Sequence, residues 1–214
     1  MSSARRRQLL EHAARHDAVI IEDDYDSESN FTLNPLPALK ASDRSGRVVY
    51  VSSLSKALSP GLRLGFMVAD PDLIDEARAL RRLVYRHPPT NIQYQMAHFL
   101  AQGHYETHLR RYHYDSAQRW ERLHAALQRY LPSCRALAGS EHANAFWLQT
   151  PAQINTQQLT WRAAHAGVLI EPGARHFLSA APPDNYFRMG FHAINPDAIA
   201  QGVEVLRGQL EQMG

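Results

Sequence analysis

The sequence predicts an α/β protein: a partial sheet with helices, followed by a smaller α+β lobe. Three observations carry that prediction. Two short β-branched apolar runs, AVIIEDDY (18–25) and RVVYVSS (47–53), read as buried parallel strands that open into polar residues at their carboxyl ends. Asp70-Pro71 is a helix start, and helical patterning continues from there to about residue 130. Beyond Pro132, short strands and helices alternate.

Residues 2–16 (SSARRRQLLEHAARH) have partial helical spacing through Ala4, Leu9, Leu10 and Ala13. The first strand, AVIIEDDY, follows. A Ser-, Asn- and Pro-containing loop over 27–46, with room for a short helix in PLPALKASD, leads to RVVYVSS. LRLGFMVA (62–69) reads as a third strand. The next helix has Asp70 as its cap, early acids and late arginines, and runs to about Tyr85, where His87-Pro88-Pro89 breaks it. Helices are expected at 91–102 and 104–130, with Leu109, Leu123 and Leu127 of the second turned inward and its arginines solvated. Pro132 sets the domain boundary, giving a large domain over 1–131 and a small one over 132–214. In the small domain the pattern gives strand NAFWLQT, helix Thr156 to Ala166, short strand GVLIEP, strand YFRMGFHA, and a final helix from Pro196 to Gln212. Trp120, Trp147 and Trp161 read as core or lobe-packing residues.

Composition narrows the function classes. The 214 residues can bury a core, and 44% hydrophobic with 21% charged residues is ordinary for a globular chain. A formal charge of +2 does not suit nucleic-acid binding by bulk electrostatics. One cysteine, Cys134, excludes an internal disulfide framework and fits the cytoplasm, and no apolar stretch is long enough to expect a membrane span. His104 and His108 have the i, i+4 spacing of metal ligands, with His113 nearby. Among twelve histidines such spacing arises readily by chance, so no metal site is assigned. The 23 cationic residues are 21 arginines and only two lysines, Lys40 and Lys56.

That scarcity concentrates attention on SSLSKALSPGLRLG, where Lys56 lies close to Ser52, Ser53, Ser55 and Arg63. Upstream, Asp23 and Tyr25 are two residues apart and so share one side of an extended strand. Each group answers a need of pyridoxal-phosphate chemistry. A lysine amine forms an imine with the cofactor, and a carboxylate keeps the pyridine nitrogen protonated. A phenol bonds the ring oxygen, while hydroxyls and a planar guanidinium hold phosphate. Taken singly, a lysine near serines is usually a surface lysine and acids at a strand end are often merely solvated. Order and spacing make the case.

IEDDYDSE, LPAL and RVVYVSSLSKALSPGLRLGF, in that order, resemble the aminotransferase-like domain of the MocR (GntR/MocR, GabR-like) bacterial transcriptional regulators. FLAQGHYETHLRR, EPGARHF and YFRMGFHAI extend the resemblance across essentially the whole chain. The EDDYDSE form favours the regulators over free-standing aminotransferases, whose comparable segment tends to read DDPYGEL. The resemblance implies the fold-type-I pyridoxal-phosphate transferase fold, with a partial large-domain sheet and a small C-terminal lobe. It implies Lys56 as the Schiff-base lysine, Asp23 on the pyridine nitrogen, Tyr25 on the ring hydroxyl, Ser53 and Arg63 on phosphate, and Arg188 on the carboxylate of an amino-acid ligand. Asp24 rivals Asp23 but has the opposite strand parity, and Arg175 rivals Arg188.

The implied role is sensing of an amino acid or amine by exchange at Lys56, with a catalytic aminotransferase or a non-catalytic remnant as alternatives. A homodimer is implied as well. Departures from the family pattern are DSESNF in place of DSEF with an aromatic and a basic residue, and YHYDS after HLRR. The regulators' DNA-binding helix-turn-helix and the first part of the large domain have no counterpart here. The chain is therefore expected to be a fragment that touches DNA only through an absent module. It is also expected to hold pyridoxal phosphate weakly by itself, because strands without their neighbours expose edges and apolar faces.

Overall fold

The computed structural model describes residues 1–24, 28, 31, 37–55, 57–87, 89–137 and 145–214. These fall into two compact units, Met1–Tyr112 and His113–Gly214. The sequence reading divides the chain after its longest helix, at Pro132; the compact units divide within that helix.

In the first unit, α1 (Ser3–Arg15) is capped by the Ser2 hydroxyl, which accepts from the Arg5 amide. The chain turns at Asp17, with φ +50, into β1 (Ile20–Asp23). β1 lies parallel to β2 (Val48–Ser53), with Ile21 opposite Val49 and Asp23 opposite Val51. β3 (Gly65–Val68) runs antiparallel on the other side of β2 and places Gly65 opposite Ser53. The order β1-β2-β3 makes β2 central, and its Val48, Val49 and Ser52 are buried. β1 departs from the expectation of a buried strand: Val19 and Ile21 are 64% and 73% exposed. Among the described residues the central strand has neighbours on both sides, whereas β1 has one.

The short helix expected in PLPALKASD is a 3-10 turn over Leu39–Ser42. It is held by Glu22 of β1, whose carboxylate accepts from the amides of Leu39 (2.5 Å) and Lys40 (2.8 Å) and lies 3.6 Å from Arg6 of α1. One β1 side chain thus ties helix, strand and turn together. The Asp43 carboxylate, fully buried, accepts from the amides of Ser45 (3.0 Å) and Val48 (2.9 Å) and from the Ser45 hydroxyl. Burial would raise this carboxyl, but those hydrogen bonds outweigh it and hold the pKa at about 2.

α2 (Pro71–Tyr85) begins where Asp70-Pro71 directs, with the Asp70 carboxylate accepting from the Asp72 amide. It buries none of its residues, and Leu80, Leu83 and Val84 stand exposed. α3 (Thr90–Ala101) and the first turns of α4 (His104–Tyr130) supply Met96 and Tyr105 to a cluster with Leu54. Leu58, Leu64, Phe99 and Leu109 pack around that cluster.

In the second unit, a sheet of order β4-β5-β7-β6 is built from β4 (Arg135–Ala136), β5 (Ala145–Gln149), β6 (Glu171–Pro172) and β7 (Tyr186–Gly190), all paired antiparallel. Alternation sends Phe146, Leu148, Phe187 and Met189 to the buried face. Leu123 and Leu127 of α4, Leu159 of α5 (Thr156–His165), and Val203 and Leu206 of α6 (Ile199–Glu211) are buried as well. The expected final helix is a 3-10 turn, Pro196–Ala198, leading into α6. The GVLIEP strand shrinks to Glu171–Pro172, with Leu169 left 84% exposed. Trp161 is 65% exposed and touches the ring of its i+4 neighbour His165, so it is not a core residue. No helix among the described residues is long and apolar enough to cross a membrane.

Candidate functional site

Two groups of candidate side chains stand together, one in each unit. In the first, residues opposite one another in a ladder share a face, so β-register determines which side chains stand together. Asp23 pairs with Val51, and Ser53 lies two residues beyond Val51 on β2. Asp23 and Ser53 therefore occupy the same face at the carboxyl ends of two adjacent parallel strands, the place where open α/β sheets put their ligands. Across from Ser53 the same face offers only Gly65, which has no side chain to obstruct it. A Cβ there would lie 2.9 Å from the Ser52 carbonyl oxygen, so the close β2–β3 approach itself requires glycine.

Asp23 is exposed on this face, whereas its rival Asp24 is already engaged. The Tyr50 hydroxyl donates to the Asp24 carboxylate (3.2 Å), and the Ser52 hydroxyl donates to the Asp24 carbonyl (2.9 Å). The Ser53 hydroxyl oxygen accepts from the Ser55 amide (3.1 Å), which leaves its own proton to donate. Arg63 is exposed, at the end of the 3-10 turn Pro60–Leu62, and sits in the left-handed region at φ +47. A non-glycine residue held there costs roughly 1 kcal/mol or more, a strain that clusters at ligand-binding segments. Tyr25 and Lys56 lie outside the described residues.

The turn next to Lys56 is pinned on both flanks. The Leu54 amide donates to the Leu64 carbonyl (3.0 Å), and the Leu58 amide to the Leu54 carbonyl (3.2 Å). His108 of α4 places Nε2 2.6 Å from the Ala57 carbonyl. This histidine, considered for metal in the sequence, is used in a hydrogen bond. The other lysine, Lys40, lies 3.4 Å from the buried Asp43 carboxylate, a structural pairing.

In the second unit, Trp147 of β5, Arg188 of β7 and Glu171 of β6 are register partners across three strands and stand on the face opposite the core. Arg188 Nη1 donates to Glu171 Oε2 (3.2 Å). The other carboxylate oxygen of Glu171 lies 3.6 Å from Arg175 Nη1 and 3.5 Å from His176 Nε2. The two arginines weighed as rivals thus converge on one glutamate. Gly173 permits it: a Cβ there would stand 2.7 Å from both the Cβ and the carbonyl oxygen of Tyr186 and 2.8 Å from the Trp147 ring. Only glycine lets the Gly173–His176 turn press against the sheet. Trp147 meets the His176 ring edge-on at 5.3 Å and the Tyr186 ring at 6.0 Å. Sequence reasoning missed Glu171, His176 and Trp147 as members of this group; a strand register would have been the signal.

The aminotransferase class I and II family matches residues 2–206. The HTH-type transcriptional regulator TauR of Rhodobacter capsulatus is 40% identical over 201 residues, covering 93% of this chain and 41% of that protein. The probable rhizopine catabolism regulatory protein MocR of Rhizobium meliloti is 34% identical over 203 residues, again with 41% of its length covered. The chain thus spans less than half the length of these relatives. Among solved structures, the kynurenine aminotransferase of Pyrococcus horikoshii, determined with PMP, superposes with a TM-score of 0.87 at 27% identity, over 99% of this chain and 52% of that one. This is the fold-type-I architecture, and the chain belongs to the class I and II aminotransferase family.

Proposed function

We propose that this chain forms the lysine-bearing part and the small lobe of a pyridoxal-phosphate-binding domain that senses an amino compound in a MocR-type regulator. The observation that carries the reading is the shared face of Asp23 and Ser53 at the ends of parallel β1 and β2, with Arg63 two residues before Gly65, the ladder partner of Ser53. These donors suit the group: one free carboxylate, one hydroxyl with a proton to give, and one exposed guanidinium. Bound there, pyridoxal phosphate would supply an electrophilic carbon and an electron-withdrawing ring.

The chain's own residues would do the rest. Asp23 would keep a proton on the ring nitrogen, and Tyr25 would bond the ring hydroxyl. Ser53 would donate to phosphate, and Arg63 would bind it in two-pronged fashion. Lys56 would hold the group covalently, while Arg188 would orient the carboxylate of an amino-acid ligand. The reading includes a homodimer, checked by sedimentation equilibrium. A second reading, a catalytic aminotransferase, is favoured by the structural likeness to a kynurenine aminotransferase. Many cycles of amino-group transfer between an amino acid and an oxo acid would select it over the sensor.

Borohydride fixation in the presence of pyridoxal phosphate, followed by peptide mass mapping, tests the site even when binding is weak. With two lysines in the chain, label is expected on Lys56 and not on Lys40. It should be lost in Lys56→Ala and reduced in Asp23→Ala and Arg63→Ala. Equal labelling of both lysines would refute the assignment.

A further inference from the structure

The second-unit cluster contains more than an arginine awaiting a carboxylate. Glu171 engages Arg188 through one carboxylate oxygen (3.2 Å) and lies within 3.6 Å of Arg175 and 3.5 Å of His176 through the other. We propose that Glu171 is a built-in counter-ion that sets ligand specificity, matching the cluster to an amino compound with a single anionic group and rejecting dianions. This rests on the reading of Arg188 as the carboxylate-binding residue.

With the His176 imidazole neutral, two guanidiniums and one carboxylate leave a net charge of +1 in the cluster, so the titrations are run at pH 8. A monoanion neutralises that charge. A dianion leaves a surplus negative charge beside the Glu171 carboxylate. The glutamate's backbone is fixed in place, because it sits on β6 directly opposite Arg188, on the strand that leads into the Gly173 turn. That turn fits against Tyr186 and Trp147 with no room for a Cβ. Arg188 is 40% and Glu171 34% exposed at the side chain, so Arg188 can reach an incoming ligand while the pair stays partly screened. Partial exposure limits the electrostatic effect to several-fold rather than thousands-fold.

Propionate and succinate, titrated against the chain with 15N-labelled arginine, report directly on the Arg175 and Arg188 side-chain resonances. The wild-type chain is expected to bind propionate at least as tightly as succinate. In Glu171→Gln, propionate should bind about fivefold and succinate about tenfold more tightly, shifting the preference about twofold toward succinate. Weaker propionate binding in Glu171→Gln would overturn the inference, because it would make Glu171 an orienting support for Arg188. Equal factors for the two acids, or no change, would also overturn it. Arg188→Gln separates the levels of the argument. If it leaves both titrations unaltered, the carboxylate role of Arg188 falls. If it abolishes them while Glu171→Gln has no effect, only the counter-ion role falls. Circular dichroism of each variant verifies that the sheet is retained.

Discussion

Replacing Gly173 by alanine puts one methyl group where three atoms already stand within 2.8 Å. Two of them, the Cβ and carbonyl oxygen of Tyr186, belong to β7, which is paired on both sides by β5 and β6. That strand cannot retreat without breaking ladder bonds, so the turn must lift. Recovering an ordinary contact of about 3.5 Å moves the Gly173–His176 turn outward and detaches His176 from the Trp147 ring. Overpacking of this kind costs about 2 kcal/mol, which for a unit of this size lowers the melting temperature by about 10 °C. Urea unfolding followed by tryptophan fluorescence measures the loss, and near-UV circular dichroism reports the Trp147 environment. Gly208→Ala is the matched control. Gly208 lies within α6 and a Cβ there meets nothing within 4 Å, so the change should stabilise by up to about 1 kcal/mol. If Gly173→Ala unfolds within experimental error of the wild type, the turn is not seated as argued, and the placement of Arg175 and His176 loses its basis.

Other perturbations have equally definite outcomes. Asp43 has a folded pKa of about 2 against an ordinary 3.8, so its stabilisation of about 2 kcal/mol is fully present above pH 3.8 and is lost as pH falls toward 2. Asp43→Asn should lower stability at neutral pH and flatten the acid limb of a stability-versus-pH curve. Glu22→Gln leaves one of the Leu39 and Lys40 amides without its acceptor and removes the charge facing Arg6. A loss of about 1–2 kcal/mol in chemical denaturation is expected. Burial pushes the Cys134 thiol up to about 11, so iodoacetamide should modify it far more slowly at pH 8 than a free thiol, and rapidly once the chain is unfolded.

How much of this was legible in the sequence depends on how local the signal was. α2 starts where Asp70-Pro71 says it should, because a cap and a proline act within one turn. β1 and β2 were readable as strands, and strand parity alone put Asp23 rather than Asp24 on the side of Tyr25. The exposure of Ile21 was readable only in general, as the apolar face expected of strands without their neighbours, since an apolar run does not reveal which strand stands at the sheet margin. β4, two residues of no distinctive pattern, went unseen. Glu171 was quoted only within the strand GVLIEP and the motif EPGARHF, with no role of its own. Its pairing with Arg188 spans the Arg175 turn and arises from the β6–β7 register, which no local pattern encodes. Trp161 was misjudged because helical tryptophan is usually inward, and here it leans along its own helix onto His165.

The exposed β1 strand has a consequence for how the molecule behaves in company. Val19, Ile20 and Ile21 form an apolar segment at the sheet margin, the kind of template on which identical chains stack. The next three residues, Glu22, Asp23 and Asp24, are all acids. Two copies aligned in parallel, edge to edge, would bring these carboxylates together in successive rungs, and such a ladder repels itself. The carboxylate proposed to hold the cofactor ring would then also act as a solubility guard, and Asp23→Ala should aggregate more readily at high concentration.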